Sequence, residues 1–368
     1  MSRATTLADV AAYAGVSGKT VSRVVNRDAN VSKETRDRVE AAISALHFRP
    51  NPAARSLAAA RSFLIGSLTV GLPSFYYAEL FRGAMRACRA RGYHLVVDEF
   101  GHGTEPIVDI YERDLRNMAY DGLILPPPVC DDLALLDALD RDGMRYVRIS
   151  PATDVGRSAS VFAEDEKGVT ALVEHMWASG HRRFGMVTGP VEHASTAVRK
   201  DAFLSAVTRL GGDAREVATA AFVWNGSMMM SGRQAGVELL DRASPPTAIF
   251  AFNDEMAAGI MALAHERGMR VPADLAVAGF DDADASKLTW PQITTIRQPI
   301  AQMAQVAVEQ LIAPPTDKPY RTCCAVEFIV RGSTCDGIGM DDIRGHSHSA
   351  PADPLLRVGV ETLQPPAE

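Results

Sequence analysis

Two long cationic side chains, Lys19 and Arg23, stand four residues apart in the segment Gly18-Lys19-Thr20-Val21-Ser22-Arg23-Val24-Val25-Asn26. On a helix that spacing puts both on one face. Either can reach the O6 and N7 acceptors of guanine in a major groove, and a good base contact is worth about 1–3 kcal/mol of discrimination. The shorter polar side chains of Ser17, Thr20, Ser22 and Asn26 suit phosphate oxygens, which fix register without reading bases; Leu7 is grouped with them. Gly18-Lys19-Thr20 also imitates the end of a phosphate-binding loop. That loop needs glycine where Tyr13 stands, and a strand before it where a helix is expected, so no nucleotide site is read here.

The elements that must position these residues are short helices. Thr6 can cap the first, with Asp9 completing a box-like start. Leu7, Val10, Ala11 and Ala14 then form one apolar face. Gly15 supplies a turn, Val16 plugs the angle and Ser17 caps the second helix, which turns Val21, Val24 and Val25 inward. A third helix starts near Ser32, buries Val39, Ala42, Ile43 and Leu46, and stops in Phe48-Arg49-Pro50. This is a helix-turn-helix plan. Charge agrees: residues 1–62 hold ten Lys/Arg against five Asp/Glu, a balance of +5, although the 368-residue chain carries −7 overall. A basic head on an acidic body can bind a polyanion locally.

The run Leu7-Ala8-Asp9-Val10-Ala11-Ala12-Tyr13-Ala14-Gly15-Val16-Ser17, then Thr20-Val21-Ser22-Arg23-Val24-Val25-Asn26, closely resembles the headpiece of the LacI/GalR (lactose-repressor) family. Val31-Ser32-Lys33-Glu34-Thr35-Arg36 and Arg49-Pro50-Asn51 continue the match. The resemblance implies that Gly18, Lys19 and Arg23 occupy base-reading positions, although Gly18 has no side chain to read with. It also implies that residues 51–62 form a hinge, with Leu57 as a minor-groove wedge flanked by Asn51, Ala54 and Arg55. The alanines there favour helix, but one short isolated helix is marginal in water.

From Phe63 onward, apolar strand segments (Leu64–Val70, His94–Val97, Leu123–Leu125, Tyr146–Ile149, Phe184–Thr188, Ala248–Phe252, Leu275–Gly279) alternate with helical ones (Tyr77–Arg91, Glu166–Ser179, Ser231–Arg242, Asp254–Arg267). Such alternation implies parallel sheets flanked by helices, and there are too many units for one sheet. The expected architecture is therefore an all-α helix-turn-helix headpiece followed by a two-lobed α/β domain with a ligand cleft at the carboxyl ends of its strands. Pro73-Ser74-Phe75-Tyr76-Tyr77-Ala78-Glu79-Leu80, Gly180-His181-Arg182-Arg183-Phe184-Gly185, Phe252-Asn253-Asp254-Glu255-Met256-Ala257 and Gly279-Phe280-Asp281-Asp282 extend the resemblance to about Thr334. It implies a type I periplasmic-binding-protein-like regulatory domain with crossings near 163, 293 and 322. The expected divisions are a headpiece 1–50, a hinge 51–62, and an effector and dimerisation domain 63–336. Its N-lobe takes 63–163 and 294–321, its C-lobe 164–293 and 322–336, and a disordered tail 337–368 follows.

A polyhydroxyl ligand needs paired donors and acceptors and a flat apolar surface. Asp254 follows a strand and opens a helix, which aims its carboxylate at the cleft; the alternative is a helix cap. By resemblance Asp254 and Arg199 bind the effector, and Phe75, Tyr76, Asp165 and Asp281 are further liners. The family's aromatic before Ser231-Gly232 is replaced by Ser227, followed by Met228-Met229-Met230. Trp224 is a candidate substitute; alternatively the methionines form a softer wall or simply pack.

No G-x-S-x-G, H-E-x-x-H or G-x-G-x-x-G occurs, so no catalysis is expected. No cofactor or metal site is read: the five cysteines are scattered without a C-x-x-C pair, and His346 and His348 fall in the polar tail. The N-terminus lacks a signal-peptide core and no long apolar run occurs, so a cytoplasmic chain without membrane contact is expected. The reading is a sequence-specific transcription regulator, a repressor of a carbohydrate-utilisation operon, binding a near-palindromic duplex as a homodimer or tetramer under control of a sugar-like effector. The alternatives are an activator or corepressor-dependent regulator, a solute-binding protein of the same body fold, which would lack the basic head, and an enzyme with an accessory head, which would need a catalytic constellation.

Overall fold

Local capping chemistry sets the first helices. The Thr6 hydroxyl accepts the Asp9 N–H at 3.3 Å while the Asp9 carboxylate accepts the Thr6 N–H at 2.7 Å, a reciprocal box that starts α1 (Leu7–Ala14). Gly15 ends it in the left-handed region, φ 63°. Ser17 Oγ accepts the Thr20 N–H at 3.2 Å and starts α2 (Gly18–Val25). Ser32 does the same for α3 (Lys33–Ala45) through Thr35 N–H at 3.3 Å. The third helix stops before the expected Phe48-Arg49-Pro50, because His47 takes a positive φ of 49° and turns the chain earlier. Val10, Ala14, Val21, Val24, Val39, Ala42 and Phe48 form the core of this unit, with Val25, Ile43 and Leu46 half-buried at its margin.

This computed structural model describes residues 5–25, 30–48, 56, 59, 61–71, 74–101, 105–314 and 319–335. Asn26, the hinge residues Asn51, Ala54, Arg55 and Leu57, and the tail 337–368 lie outside the described residues. The chain divides into two compact units, Met1–Phe63 and Leu64–Glu368.

The second unit alternates strand and helix. Its first lobe contains β1 (Leu64–Val70), α4 (Phe75–Ala90), β2 (His94–Phe100), α5 (Ile107–Ile110) with a π-helical turn at Tyr111–Leu115, β3 (Gly122–Leu125), α6 (Leu133–Arg141), β4 (Tyr146–Ile149) and β5 (Ala159–Ala163). Its second lobe contains α7 (Asp165–Ala178), β6 (Phe184–Val187), α8 (Ala194–Arg209), β7 (Ala218–Ala220), α9 (Met228–Leu240), β8 (Ala248–Ala251), α10 (Asp254–Glu266), β9 (Ala276–Ala278) and α11 (Asp284–Leu288). The chain then makes β10 (Thr295–Arg297), α12 (Ile300–Ile312), β11 (Arg321–Cys324) and β12 (Glu327–Ile329).

Among the described residues the first sheet has six strands in the order β11-β5-β4-β3-β1-β2, and the second has four, β7-β6-β8-β9. Every pairing in both is parallel. Strands such as β3 and β8 are buried along their whole length, as sheets covered on both faces require. Two expected boundaries move. β11 pairs with β5, Cys324 opposite Ala163, so the crossing expected near 322 falls beyond Cys324. β10 pairs antiparallel with β12, and its Ile296 is buried with Val169, Phe184 and Phe280, so the crossing expected near 293 falls after β10. Only then does α12 turn back to pack on α4.

The helices α9 and α10 cross at two glycines. A Cβ on Gly232 would lie 2.2 Å from the Met256 carbonyl oxygen, and one on Gly259 would lie 2.0 Å from the Met229 carbonyl oxygen. Among the described residues no helix is long and apolar enough to cross a membrane.

Candidate functional site

In the head, α2 exposes Lys19 and half-exposes Thr20, Ser22 and Arg23, while Val21 and Val24 hold it to the core. Lys19 and Arg23 share one face, one turn apart. Ser17 and Thr20 sit at the start of that helix with their hydroxyls 2.9 Å apart. Gly18 has a close neighbour. A Cβ there would come within 3.2 Å of Leu7 Cδ2, so a larger residue would have to displace the end of that side chain. Leu7, 36% exposed, therefore takes part in that contact as well as opening α1.

In the body, the carboxyl ends of the strands deliver a compact polar cluster. Arg199 on α8 is buried, 3% exposed. Its Nε donates to Asp165 Oδ2 at 2.8 Å and its Nη1 to the Phe252 carbonyl at 2.8 Å. Phe280 covers one part of the guanidinium, 3.5 Å from ring centroid to Cζ, and Phe252 another at 4.6 Å. Desolvated cation–π contacts of this kind are worth about 2 kcal/mol. Asp165, the first residue of α7, keeps a second carboxylate oxygen that is buried and has no hydrogen-bond partner among the described residues.

Asp281 follows Phe280 on the turn after β9, with φ 100°, and Asp282 follows at φ 56°. Two consecutive side-chain-bearing residues at positive φ cost about 1–3 kcal/mol each and need outside support. It comes from β10, where the Ile296 carbonyl accepts the Asp281 N–H at 2.8 Å. Support also comes from Asp282, whose carboxylate accepts from Arg331 at 2.5 Å and Arg297 at 2.9 Å. Burial drives the Asp281 carboxyl up to about 6, against the opposing pull of Arg199 and reinforced by Asp165 and Glu255. Tyr76 on α4 lies within electrostatic reach of both Asp281 and Arg199, and burial holds its phenol well above the usual range. The structure thus brings Arg199, Asp165, Asp281 and Tyr76 together from both lobes. Phe75 opens the same helix as Tyr76, half-buried.

Asp254 behaves differently from expectation. It is fully buried, and its carboxylate accepts from Thr295 Oγ1 at 2.6 Å and from the Ala283 N–H at 2.7 Å. A Cβ on Gly279 would fall 2.2 Å from its Oδ1, so the group is clamped inside the lobe instead of opening on the cleft. It buttresses the Asp281 turn. Trp224 is 57% exposed with its ring 6.5 Å from Phe222, and the rings on Arg199 are Phe252 and Phe280. Ser227 stands where an aromatic was expected because it caps α9, accepting the Met230 N–H at 3.2 Å. Met228 packs into the core, and Met229 and Met230 are exposed.

Sequence reasoning missed Phe252, Phe280 and His193. The first two lie just past the carboxyl ends of β8 and β9, where open α/β sheets place ligands, so that rule could have found them. His193 precedes α8 with its ring 6.3 Å from Phe252, and burial pulls its imidazole down to about 4, leaving it neutral.

Comparison with known proteins identifies the family. Residues 6–51 match the bacterial regulatory proteins of the lacI family, and residues 173–334 match the periplasmic binding protein-like domain. The lactose operon repressor of Escherichia coli (strain K12) is 32% identical over 309 residues, covering 83% of this chain and 84% of that protein. The ribose operon repressor of the same strain is 31% identical over 339 residues, covering 89% and 99%. A lac repressor dimer bound to operator and the anti-inducer ONPF superposes with a TM-score of 0.73 at 30% identity, covering 90% and 99% of the two chains. A complex of the transcriptional regulator CelR with cellobiose gives 0.66 at 28%, covering 89% and 99%. With a matching head, a matching body and relatives similar along nearly their whole length, this chain belongs to the lacI family of bacterial regulatory proteins.

Proposed function

We propose that the chain is a dimeric repressor that grips a near-palindromic operator through α2, and that a sugar or sugar derivative at Arg199 changes the grip. One observation carries the effector half of this reading. Arg199 is pinned between Asp165, a carbonyl and two rings, while the Asp281 carboxylate beside it makes no hydrogen bond or ion pair among the described residues. Fixed donors, open acceptors and flat apolar faces are what a polyhydroxyl ligand requires. Relatives named for lactose and ribose operons, and a related regulator in complex with cellobiose, support the same class. In this reading the effector draws the lobes together, and the first lobe, whose β1 follows the 51–62 hinge in the chain, passes the change on. Leu57 acts as the wedge on resemblance. Such coupling is reciprocal and typically about 1–3 kcal/mol.

The test is selection of bound sequences from random duplex by the full chain, repeated with a panel of neutral sugars. A palindrome whose recovery changes with one sugar is the expected result; no sequence preference at physiological salt would sink the reading. Lys19→Ala and Arg23→Ala are each expected to relax preference at particular base pairs by about 1–3 kcal/mol. A uniform loss over all duplexes would instead make them phosphate contacts.

The cleft carboxylate adds a pH signature. A hydroxyl donates more strongly to ionised than to protonated Asp281, so sugar affinity should fall about tenfold as the carboxyl takes up its proton below about pH 6. The charged and titratable groups facing it are Arg199, Asp165, Glu255 and Tyr76. Binding measured from about pH 7.5 to about pH 5 checks this, and Asp281→Asn should flatten the profile.

A further inference from the structure

The charge arrangement at Arg199 narrows the ligand class further. A site built for an anion keeps a cation with unspent charge. Here the guanidinium is already matched by Asp165 at 2.8 Å, and its faces are covered by rings. Among the described residues its N–H groups have two protein acceptors, at Nε and Nη1, and Nη2 has none. Arg148, Arg297 and Arg331 are committed as well. Arg148 is fully buried and donates to Ser158 Oγ at 3.1 Å and to the Thr153 carbonyl at 2.9 Å, with Asp131 3.8 Å away. Arg297 and Arg331 converge on Asp282. His193 is neutral above about pH 4. One cation, already paired, thus faces two carboxylates: the second oxygen of Asp165 and both oxygens of Asp281 stand against the unused N–H groups of a single guanidinium, with Glu255 beyond.

We propose that the cleft is built for an uncharged, hydroxyl-rich ligand and rejects anionic relatives of it, both sugar acids and sugar phosphates. The inference rests on the reading of Arg199 and Asp281 as the effector site. Its physical content is an excess of negative charge, two carboxylates around one guanidinium. Each hydroxyl of a neutral sugar can donate to Asp281 or to Asp165 Oδ1 and accept from Nη2. A carboxylate or phosphate only accepts, and it would sit against an unpaired carboxylate in a desolvated site. Like charges a few ångströms apart in such a medium cost enough to weaken binding about a hundredfold.

The experiment is calorimetric titration of the full chain with matched pairs: D-glucose with D-glucuronate and glucose 6-phosphate, D-galactose with D-galacturonate, and D-ribose with ribose 5-phosphate. Neutral cellobiose is titrated alongside. The expected result is that a neutral member binds and its anionic partner binds about a hundredfold more weakly. The gap should narrow to below about tenfold in Asp281→Asn and, in the unaltered protein, at about pH 5, where Asp281 is protonated and the uronate is not. An anionic partner that binds as well as its neutral parent overturns the inference and leaves the sugar-sensor reading standing. A gap unmoved by both Asp281→Asn and acid also overturns it, because discrimination would then not be electrostatic. Binding by neither charge state of any pair, nor by cellobiose, overturns both.

Discussion

An Arg199→Met variant should lose the effector response outright: adding sugar, which in the unaltered protein shifts operator affinity by about 5–150-fold, should leave it unchanged. Two losses combine. In the proposed reading the ligand loses the Arg199 donor, and Asp165 is left in a buried site without its counter-charge. Breaking a buried pair from one side costs about 3–5 kcal/mol, so the melting temperature of the body should fall as well. Lysine should not rescue the response. A single ammonium cannot hold Asp165 and the Phe252 carbonyl together while keeping a flat group between two rings. Anisotropy titrations of a labelled operator, with and without sugar, read the first effect, and thermal melting reads the second. Adding Asp165→Asn to Arg199→Met should restore much of the melting temperature and none of the response. A single variant that melts like the parent would show that this ion pair does not fasten α7 to α8.

The second large effect is on stability. Gly259→Ala should destabilise the protein by about 3 kcal/mol or more, at the upper end of overpacking costs. The added carbon would meet the Met229 carbonyl oxygen at 2.0 Å and the Arg233 nitrogen at 2.8 Å. Both are backbone atoms of a helix, so relief requires α9 and α10 to separate. The sign makes the test sharp, since glycine to alanine in a helix interior otherwise stabilises by about 1 kcal/mol. Gly185→Ala is the control. Its Cβ meets side chains only, Pro246 at 2.9 Å and Ile249 at 3.1 Å, and should cost far less in a urea denaturation series. Equal midpoints for the two variants would mean that the crossing is looser than described.

Much of this architecture was legible in periodicity and caps. The Thr6–Asp9 box, the Gly15 turn and the Ser32 start each express one local rule, and the apolar runs of β1, β3, β4, β6 and β8 stand out because both their faces are buried. Two of the strands that escaped notice carry no such run. Arg321-Thr322-Cys323-Cys324 at a sheet edge and Thr295-Ile296-Arg297 in a two-stranded ribbon are defined by partners far away in the chain. At the site, Arg199, Asp165, Asp281 and Tyr76 could be collected from motif positions. Asp254 could not be assigned correctly that way. A carboxylate opening a helix after a strand suits a ligand contact and a buttress alike, and Thr295, 41 residues on, decides between them. Gly18, read by resemblance as a base-contacting position, would place a Cβ 3.2 Å from Leu7 Cδ2, a proximity the sequence does not show.

The pairing of β11 with β5 has a consequence for biosynthesis. A nascent chain that has emerged as far as Ala163 holds five of the six strands of the first sheet, but neither the strand that closes its edge nor α12, which covers α4. Those pieces leave the ribosome only after nearly all of the second lobe, β12 excepted. The first lobe therefore waits with an open edge and an uncovered helix face, the exposure that invites mispairing in slow, non-local folds. A stop codon shortly before Arg321 would damage the lobe encoded nearest the start of the message.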